Sequence, residues 1–322
     1  CWFTSYLPDF NFTNPDARGF SVDNALQWIA DSGADGFRLD AVKHIEDQWL
    51  IDLRARVKNE VEPETGEHFY MVGETFEGDR SVIAHYVTPT MLDGQFDFPL
   101  RMELVAKLIL RKGAMSELAA FMDSNDAYYG AGIMSTFIGN HDIPRVIHLA
   151  QDNPVWDNEW TDGKDQAWAN IGLPAGNSAF ERMGLGFTLI MTIPGVPLIY
   201  YGDEVGMAGA GDPDNRRFMQ WDSYSGGQQL LLAHVQKLTA IRAEHAPLRR
   251  GNRTTLSADA DTLVYSLSAG SETVYVAINR ADSTRSANGL PGGSYTDLLG
   301  GGSVSGPSFD LPARTSMILV AQ

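Results

Sequence analysis

Short apolar segments alternate with longer amphipathic segments from about residue 20 to residue 250 of this 322-residue chain. The alternation predicts a parallel α/β fold, because parallel neighbouring strands must be joined by a long crossover connection, which is usually a helix. The predicted strands are 33–41, 68–75, 92–98, 133–140 and 195–204.

Apolar residues recur at three- and four-residue intervals in the segments between and after these strands, which is the spacing of amphipathic helices. The residues concerned are Trp49, Leu50, Leu53 and Val57 in the first segment, Leu104, Leu108 and Ile109 in the second, and Leu231, Val235, Leu238 and Ile241 in a helix predicted from Gln228 to Glu244.

The most apolar run, residues 183–202, approaches the length of a membrane span, but Pro194, Gly195 and Pro197 interrupt it. We therefore predict a core helix, a turn and a buried strand there, and no membrane span. The formal charge of −17 also disfavours a nucleic-acid partner, because an acidic surface repels phosphate backbones.

After Arg250 the pattern changes to alternating apolar and polar residues between turns rich in glycine and serine. This pattern is typical of antiparallel strands with one buried face. We therefore predict a small antiparallel β-sandwich domain over 251–322, after an α/β domain over 21–250.

Three of the predicted strands end in an acid: Asp40, Glu74 and Asp142. A (β/α)8 barrel uses roughly 31 residues for each strand and helix, so Asp40 and Glu74 are about one unit apart and Asp142 about two units further. Catalytic residues of such barrels lie at the carboxyl ends of several strands. The spacing predicts that the three acids share one site.

Arg38 precedes Asp40 by two residues, so both side chains point to the same face of their strand. Such a pair is either a buried structural ion pair or part of a site. Acids gathered at one barrel mouth suit retaining glycoside hydrolysis, in which one carboxylate attacks the anomeric carbon and a protonated partner roughly 5–5.5 Å away donates to the leaving oxygen.

Four segments resemble, in order and spacing, the signature segments of the α-amylase superfamily, glycoside hydrolase family 13. They are LPDFN (7–11), GFRLDAVKH (36–44), GET (73–75) and FIGNHD (137–142), and IYYGDE (199–204) extends the likeness. The resemblance implies that Asp40 is the nucleophile, Glu74 the general acid/base and Asp142 the stabiliser of the transition state. The expected substrate is an α-glucan oligo- or polysaccharide such as starch or maltodextrin.

The same resemblance implies supporting roles for neighbouring residues. Arg38 would keep Asp40 ionised, Lys43 and His44 would contact the glucose on the leaving-group side, and His141 would bind sugar hydroxyls, unless His141 is a core histidine. Asp9 matches a calcium-ligand position, with the backbone carbonyl of His44 as a second oxygen, so a structural calcium ion is expected.

The family barrel has three strands before the one that ends at Asp40, and nothing in this sequence matches them. We therefore expect a partial TIM (β/α)8 barrel, about strands 4 to 8, with 1–20 as the end of the excursion domain. The alternatives are a transglycosylase, a trehalose or maltose isomerase, or a non-catalytic fragment or homologue. The family's habit suggests a secreted or periplasmic protein.

Two further expectations concern loops. Trp156, Trp160 and Trp168 lie in a long polar segment and offer faces on which sugar rings stack. Asp203 and Glu204 are expected to be structural, paired with Arg216 or Arg217.

Overall fold

A computed structural model describes residues 2–151 and 171–322, so the three loop tryptophans predicted to stack on sugars lie outside the described residues. The chain divides into two compact units. Unit 1 contains residues 1–99 and 128–135, and unit 2 contains residues 100–127 and 136–322. The predicted domain limits, 1–20, 21–250 and 251–322, stay a prediction.

The first part of the chain forms short strands and helices. The strands are β1 (Trp2–Thr4), β2 (Leu7–Pro8), β3 (Gly36–Leu39), β4 (Tyr70–Gly73) and β5 (Gly94–Gln95), and the helices are α1 (Pro15–Ser32), α2 (Asp47–Arg56), α3 (Glu62–Thr65), α4 (Arg80–Tyr86) and α5 (Phe98–Leu104). Strands β3, β4 and β5 form a parallel sheet in that order. The predicted alternation of strand and helix is confirmed here.

Close packing in this sheet explains one glycine of the sequence. A Cβ atom at Gly36 would lie 2.4 Å from the backbone oxygen of Tyr70 on the neighbouring strand. The helix before this strand is also defined by its ends: Asn14 accepts hydrogen bonds from the N–H groups of Asp16 and Ala17, and Gly33 closes α1 with a φ of 65°. Local sequence therefore fixes where β3 begins.

The predicted apolar face of α2 is buried in the core of unit 1. Trp49 and three further residues of the predicted stripe, Leu50, Leu53 and Val57, belong to one cluster, in which Phe37 and Leu39 of β3 are partly buried. Arg38, between them, points to the opposite face, as the strand alternation predicts, and it is exposed there.

Most of the chain after α5 belongs to unit 2. The elements that follow α5 are α6 (Met115–Asn125), β6 (Ser135–Thr136), α7 (Ile147–Ala150), α8 (Ser178–Thr192), β7 (Val196–Pro197), α9 (Gly226–Glu244) and α10 (Pro247–Arg250). The predicted stripe of Leu104, Leu108 and Ile109 continues from α5 into a π-helical turn over Val105–Ile109. It is buried in one cluster with α8 and the apolar face of α9. Ser225 and Gln228 form a capping box that starts α9.

The strand predicted over 195–204 is much shorter than expected. Only Val196–Pro197 is a strand, and Val196 is 45% exposed, so the prediction of a buried strand is wrong. Pro194 and Pro197 have no N–H to donate, and Gly202, with a φ of 83°, turns the chain into a 3-10 turn over Asp203–Val205.

The C-terminal region is antiparallel, as predicted. Its strands are β8 (Asn252–Ala258), β9 (Thr262–Ala269), β10 (Glu272–Asn279), β11 (Arg285–Asn288), β12 (Ser294–Asp297), β13 (Ser303–Ser305), β14 (Ser308–Leu311) and β15 (Thr315–Ala321). Six of them form one sheet in the order β13-β12-β15-β10-β9-β8, and β11 pairs with β14. Leu263, Tyr265 and Leu267 of β9 pack with the helices, whereas Val264 packs with the β11–β14 side.

No helix within residues 2–151 and 171–322 combines the length and the apolar character that a membrane crossing requires.

A buried ionic network lies at the amino ends of β4 and β5 in unit 1. Arg54, 2% exposed, donates to the backbone oxygens of Met91 and Phe69 at 3.0 and 3.1 Å and to Asp93 Oδ2 at 2.5 Å. Burial alone would raise the pKa of Asp93, but the Met71 N–H and the Arg54 guanidinium hold it below its ordinary value.

We predict that Asp93→Asn destabilises the protein at pH 7 by up to about 3 kcal/mol, because buried Arg54 loses its nearer counter-ion and keeps only Glu62, whose Oε1 lies 3.9 Å away. A carboxyl with a lowered folded pKa stabilises the fold above its unfolded pKa of about 3.9 and loses this contribution as the pH falls below it. Urea unfolding at pH 7 and pH 3 measures the free energy of unfolding of both proteins. The difference between the variant and the wild type should be smaller at pH 3 than at pH 7. The exposed Asp35→Asn is the control, and an equal difference at both pH values contradicts the network.

Candidate active site

Asp40 and Glu74 immediately follow β3 and β4, two neighbouring parallel strands of unit 1. Leu39 is opposite Gly73 in the ladder, so the next residue on each strand lies at the same edge of the sheet. This edge is the carboxyl end of both strands, where parallel sheets place functional residues. The structure therefore brings these two predicted site residues together.

Glu74 is held by three backbone groups of the β3 side. Its N–H donates to the Leu39 carbonyl at 2.7 Å, its carbonyl accepts from the Val42 N–H at 2.8 Å, and its Oε2 accepts from the Ala41 N–H at 3.1 Å. The residue is only 7% exposed. Its carboxylate is consequently fixed in position rather than free to rotate in solvent.

The glycine before Glu74 is required by packing. A Cβ atom at Gly73 would lie 2.5 Å from Leu92 Cδ1 and 2.9 Å from Val42 Cγ2, closer than real Cβ contacts. Only glycine lets β4 run past these two buried side chains. In the GET segment, Gly73 is thus required by packing, and Glu74 supplies the carboxylate of the candidate site.

Arg38 and Asp40 form an ion pair in unit 1 through Arg38 Nη1 and Asp40 Oδ1. The Asp40 side chain is 73% exposed, so the alternative of a buried structural pair is wrong. The Arg38 guanidinium also lies 5.8 Å from the ring centre of Phe96. An exposed ion pair contributes only about 0–1 kcal/mol to stability, so its main effect is to orient Asp40.

Lys43 and His44 lie in the short 3-10 turn that follows Asp40. Lys43 Nζ donates to the Phe76 carbonyl at 2.9 Å and so connects this turn to the loop after Glu74. Burial and the charge of Lys43 lower the pKa of His44, while Asp9 acts in the opposite direction. Asp9 is therefore electrostatically coupled to His44.

The expected calcium site is incomplete among the described residues. Calcium takes six to eight oxygen ligands, and Asp9 with the His44 carbonyl would supply two of them. Across residues 2–151 and 171–322 no group of three or more His, Cys, Asp or Glu side chains could hold a metal. The residues present do not make a full site, and no catalytic step is derived through calcium.

Asp142 and His141 lie in unit 2, in the loop after β6. The Asp142 N–H donates to Asn140 Oδ1 at 2.9 Å, and His141 Nε2 is 3.3 Å from Asp142 Oδ2. The two side chains are 41% and 38% exposed, so the alternative of a core histidine is wrong for His141. The predicted neighbours thus form a partly exposed pair within this unit.

The segment DPDNRR (212–217) supplies contacts around Asp142 that the sequence did not reveal. Asn215, fully buried, donates through Nδ2 to the carbonyls of His141 at 2.6 Å and Ile143 at 2.8 Å, on either side of Asp142. Arg216 donates to the same His141 carbonyl and lies 3.5 Å from Asp142 Oδ1. The only signal was a cluster of polar residues in a loop.

Asp203 is structural, as expected, but its predicted partners are wrong. It pairs with Arg145 at 3.0 Å, and both side chains are buried, whereas Arg217 pairs with Asp214. Burial raises the pKa of Asp203 to about 6, while Arg145 acts in the opposite direction. A Cβ atom at Gly139 would lie 2.2 Å from Asp203 Oδ2, which explains the glycine in FIGNHD.

Comparison with known sequences shows which family this chain resembles. The family described as alpha amylase, catalytic domain, matches residues 1–246. A cyclomaltodextrinase from Geobacillus thermopakistaniensis is 30% identical over 87% of this chain and 42% of its own length. A cyclomaltodextrin glucanotransferase from Geobacillus stearothermophilus is 28% identical over 92% of this chain and 37% of its own length. The chain spans about two fifths of the length of these curated relatives.

Solved structures agree with the sequence match. The crystal structure of an α-amylase from Geobacillus thermoleovorans complexed with acarbose superposes with a TM-score of 0.81, at 26% identity, over 99% of this chain and 67% of that one. The ligand-free cyclic α-maltosyl-(1→6)-maltose hydrolase from Arthrobacter globiformis gives a TM-score of 0.78, at 26% identity, over 100% and 64% of the two chains.

The fold prediction is thus confirmed in its coarser part, a partial catalytic barrel with an antiparallel sheet region. These matches agree with the order of the motifs and with the paired strand ends that carry Asp40 and Glu74. The chain therefore belongs to the α-amylase catalytic-domain family of glycoside hydrolases.

Proposed function

We propose that this chain carries the catalytic part of a retaining glycoside hydrolase of the α-amylase type, which cleaves α-1,4-glucosidic bonds in starch, maltodextrins or related α-glucans. The observation that carries the proposal is the pair of carboxylates after β3 and β4, one beside Arg38 and one held by the backbone N–H of Ala41.

In the proposed mechanism Asp40 attacks the anomeric carbon and the bond to the leaving oxygen breaks. Glu74 gives its proton to that oxygen, so the first product leaves as an alcohol and the sugar remains as an ester on Asp40. A water molecule then gives a proton to Glu74 and attacks the same carbon, which releases Asp40. Asp142 stabilises the positive charge that develops on the sugar ring.

The remaining residues serve substrate binding in this proposal. Arg38 pairs with Asp40 and orients it, Lys43 and His44 contact the glucose on the leaving-group side, and His141 binds sugar hydroxyls. The polar contacts of Lys43 with the loop after Glu74 and of His141 with Asp142 support these assignments.

Transfer to another sugar instead of water is the second candidate. The names of the relatives support it, since they include both cyclomaltodextrinase and cyclomaltodextrin glucanotransferase. The same carboxylates serve both reactions, because only the acceptor differs. Products formed from maltoheptaose separate the two: shorter chains alone indicate hydrolysis, and longer or cyclic chains indicate transfer.

We also propose that the parallel strands are strands 4 to 8 of the family barrel and that the C-terminal sheets form a β-sandwich. Support comes from the order of the signature segments and from the apolar cluster between the two C-terminal sheets, which contains Val264 and Ala277 of one sheet and Ala287 and Phe309 of the other.

We predict that Asp40→Asn, Glu74→Gln and Asp142→Asn each lower kcat on soluble starch by at least about 10²-fold, because each removes a group used in the chemical step. The assay measures reducing ends released by the natively produced protein. Asp310→Asn, at an exposed position on β14, is the matched control and should keep wild-type activity. Activity within twofold of wild type in Asp40→Asn or Glu74→Gln contradicts the assignment.

A structural calcium ion near Asp9 is a separate proposal, supported by the hard oxygen donors that the Asp9 carboxylate and the His44 carbonyl offer. We predict that a chelator lowers the thermal unfolding midpoint of the wild type, because a ligand at 100 times its dissociation constant stabilises the folded state by about 2.7 kcal/mol. In Asp9→Asn the chelator should have a much smaller effect, whereas Asp31→Asn should respond as the wild type does. An equal response in Asp9→Asn overturns the assignment.

A further inference from the structure

Ala41, the residue after Asp40, has a left-handed backbone conformation with φ 50° and ψ 40°. This conformation is disfavoured for residues with a side chain, because Cβ crowds the following carbonyl oxygen. The other described non-glycine residues with positive φ are Arg111, Ser223 and Arg314. Of these four, only Ala41 donates its N–H to a carboxylate of the candidate site. An unfavourable conformation at this place calls for a compensating contact.

The left-handed turn directs two successive N–H groups toward one residue. Ala41 donates to Oε2 of Glu74 at 3.1 Å, and Val42 donates to the backbone carbonyl of Glu74 at 2.8 Å. In an extended strand, successive N–H groups point in opposite directions, so they would not reach the same residue. One of the two N–H groups therefore holds the carboxylate of Glu74, and the other holds its backbone.

We propose that Ala41 is a positioning residue for the general acid/base: its backbone N–H donates to Oε2 of Glu74 and so fixes the orientation of the carboxylate. This inference rests on the proposed function of Glu74. A hydrogen bond from an N–H group to a carboxylate favours its ionised form, so this contact also influences the pH at which Glu74 holds its proton.

The turn is itself held in place by its surroundings. The Val42 side chain is completely buried, and the N–H groups of His44 and Ile45 donate to the carbonyls of Ala41 and Val42 at 2.9 and 3.0 Å. The side chain of Ala41 is not needed for any of these contacts. The backbone N–H of residue 41 and its direction are therefore what holds Glu74. Two kinds of change can distinguish the effect of this N–H from an effect of side-chain packing.

The first pair of variants changes the backbone preference of residue 41. Ala41→Gly retains the N–H and favours positive φ, so kcat should stay within about twofold of wild type. Ala41→Val disfavours this conformation, so kcat per active site should fall about tenfold or more with little change in KM. Ser223→Val, at another left-handed position, is the matched control and should leave kcat unchanged.

A second change removes the N–H alone and does not depend on Ala41→Val folding. Incorporation of lactate in place of Ala41 exchanges the N–H for an oxygen and keeps the methyl group. Because the N–H favours the ionised carboxylate, its removal should move the alkaline limb of the kcat/KM profile to higher pH. A purely structural role would change the amount of active protein and not this limb.

The outcomes are distinct. If the alkaline limb of the kcat/KM profile in the lactate protein matches that of the wild type, the inference is overturned. It is also overturned if the Ala41→Gly protein, which retains the N–H, shows the shift to higher pH. An active Glu74→Gln protein would overturn the proposed function and this inference together. An inactive Glu74→Gln protein combined with an unshifted lactate protein would overturn the inference alone.

Discussion

The hydrogen bonds between β3 and β4 are the interaction on which the candidate site depends. They continue beyond the strands, since the Leu39 carbonyl accepts from Glu74 and the Glu74 carbonyl accepts from Val42. A parallel ladder fixes which residues are neighbours at its end, because a shift by one residue would turn every side chain to the other face. The backbone pairing alone therefore places Asp40 and Glu74 next to each other, independently of the contacts that their side chains make.

Glycines and buried charges maintain that geometry. Gly36 and Gly73 let β3 and β4 approach their neighbours, where a Cβ atom would meet backbone or side-chain atoms. Arg54, buried in unit 1, connects the start of β4 with the segment before β5 through backbone carbonyls. Buried ion pairs are costly to desolvate, so loss of one partner costs more than the intact pair contributes.

Much of the local structure could be predicted from the sequence. Amphipathic spacing identified the buried faces of α2, α5 and α9, and strand alternation placed Arg38 on the exposed face. These features depend on residues close together in the chain. Strand length was not predictable in the same way, because it depends on hydrogen bonds to distant segments, and prolines at 194 and 197 shortened β7 to two residues.

The supporting contacts of the site were harder to predict than its acids. The partner of Asp203 proved to be Arg145, and the amide of Asn215 bonds the carbonyls on both sides of Asp142. Both contacts join segments more than fifty residues apart and involve backbone atoms or buried charges, which composition and periodicity do not encode. The left-handed Ala41 is likewise invisible in a sequence where alanine normally favours a helix.

The most direct test of this account is to trap the covalent intermediate. The natively produced protein is incubated with a mechanism-based α-glucosyl fluoride, digested with a protease and analysed by mass spectrometry of the peptides. The account predicts one sugar ester on Asp40, because a retaining mechanism passes through a glycosyl-enzyme at the nucleophile. A label on any other carboxylate, or inversion of the product anomer with no labelled peptide, would contradict it.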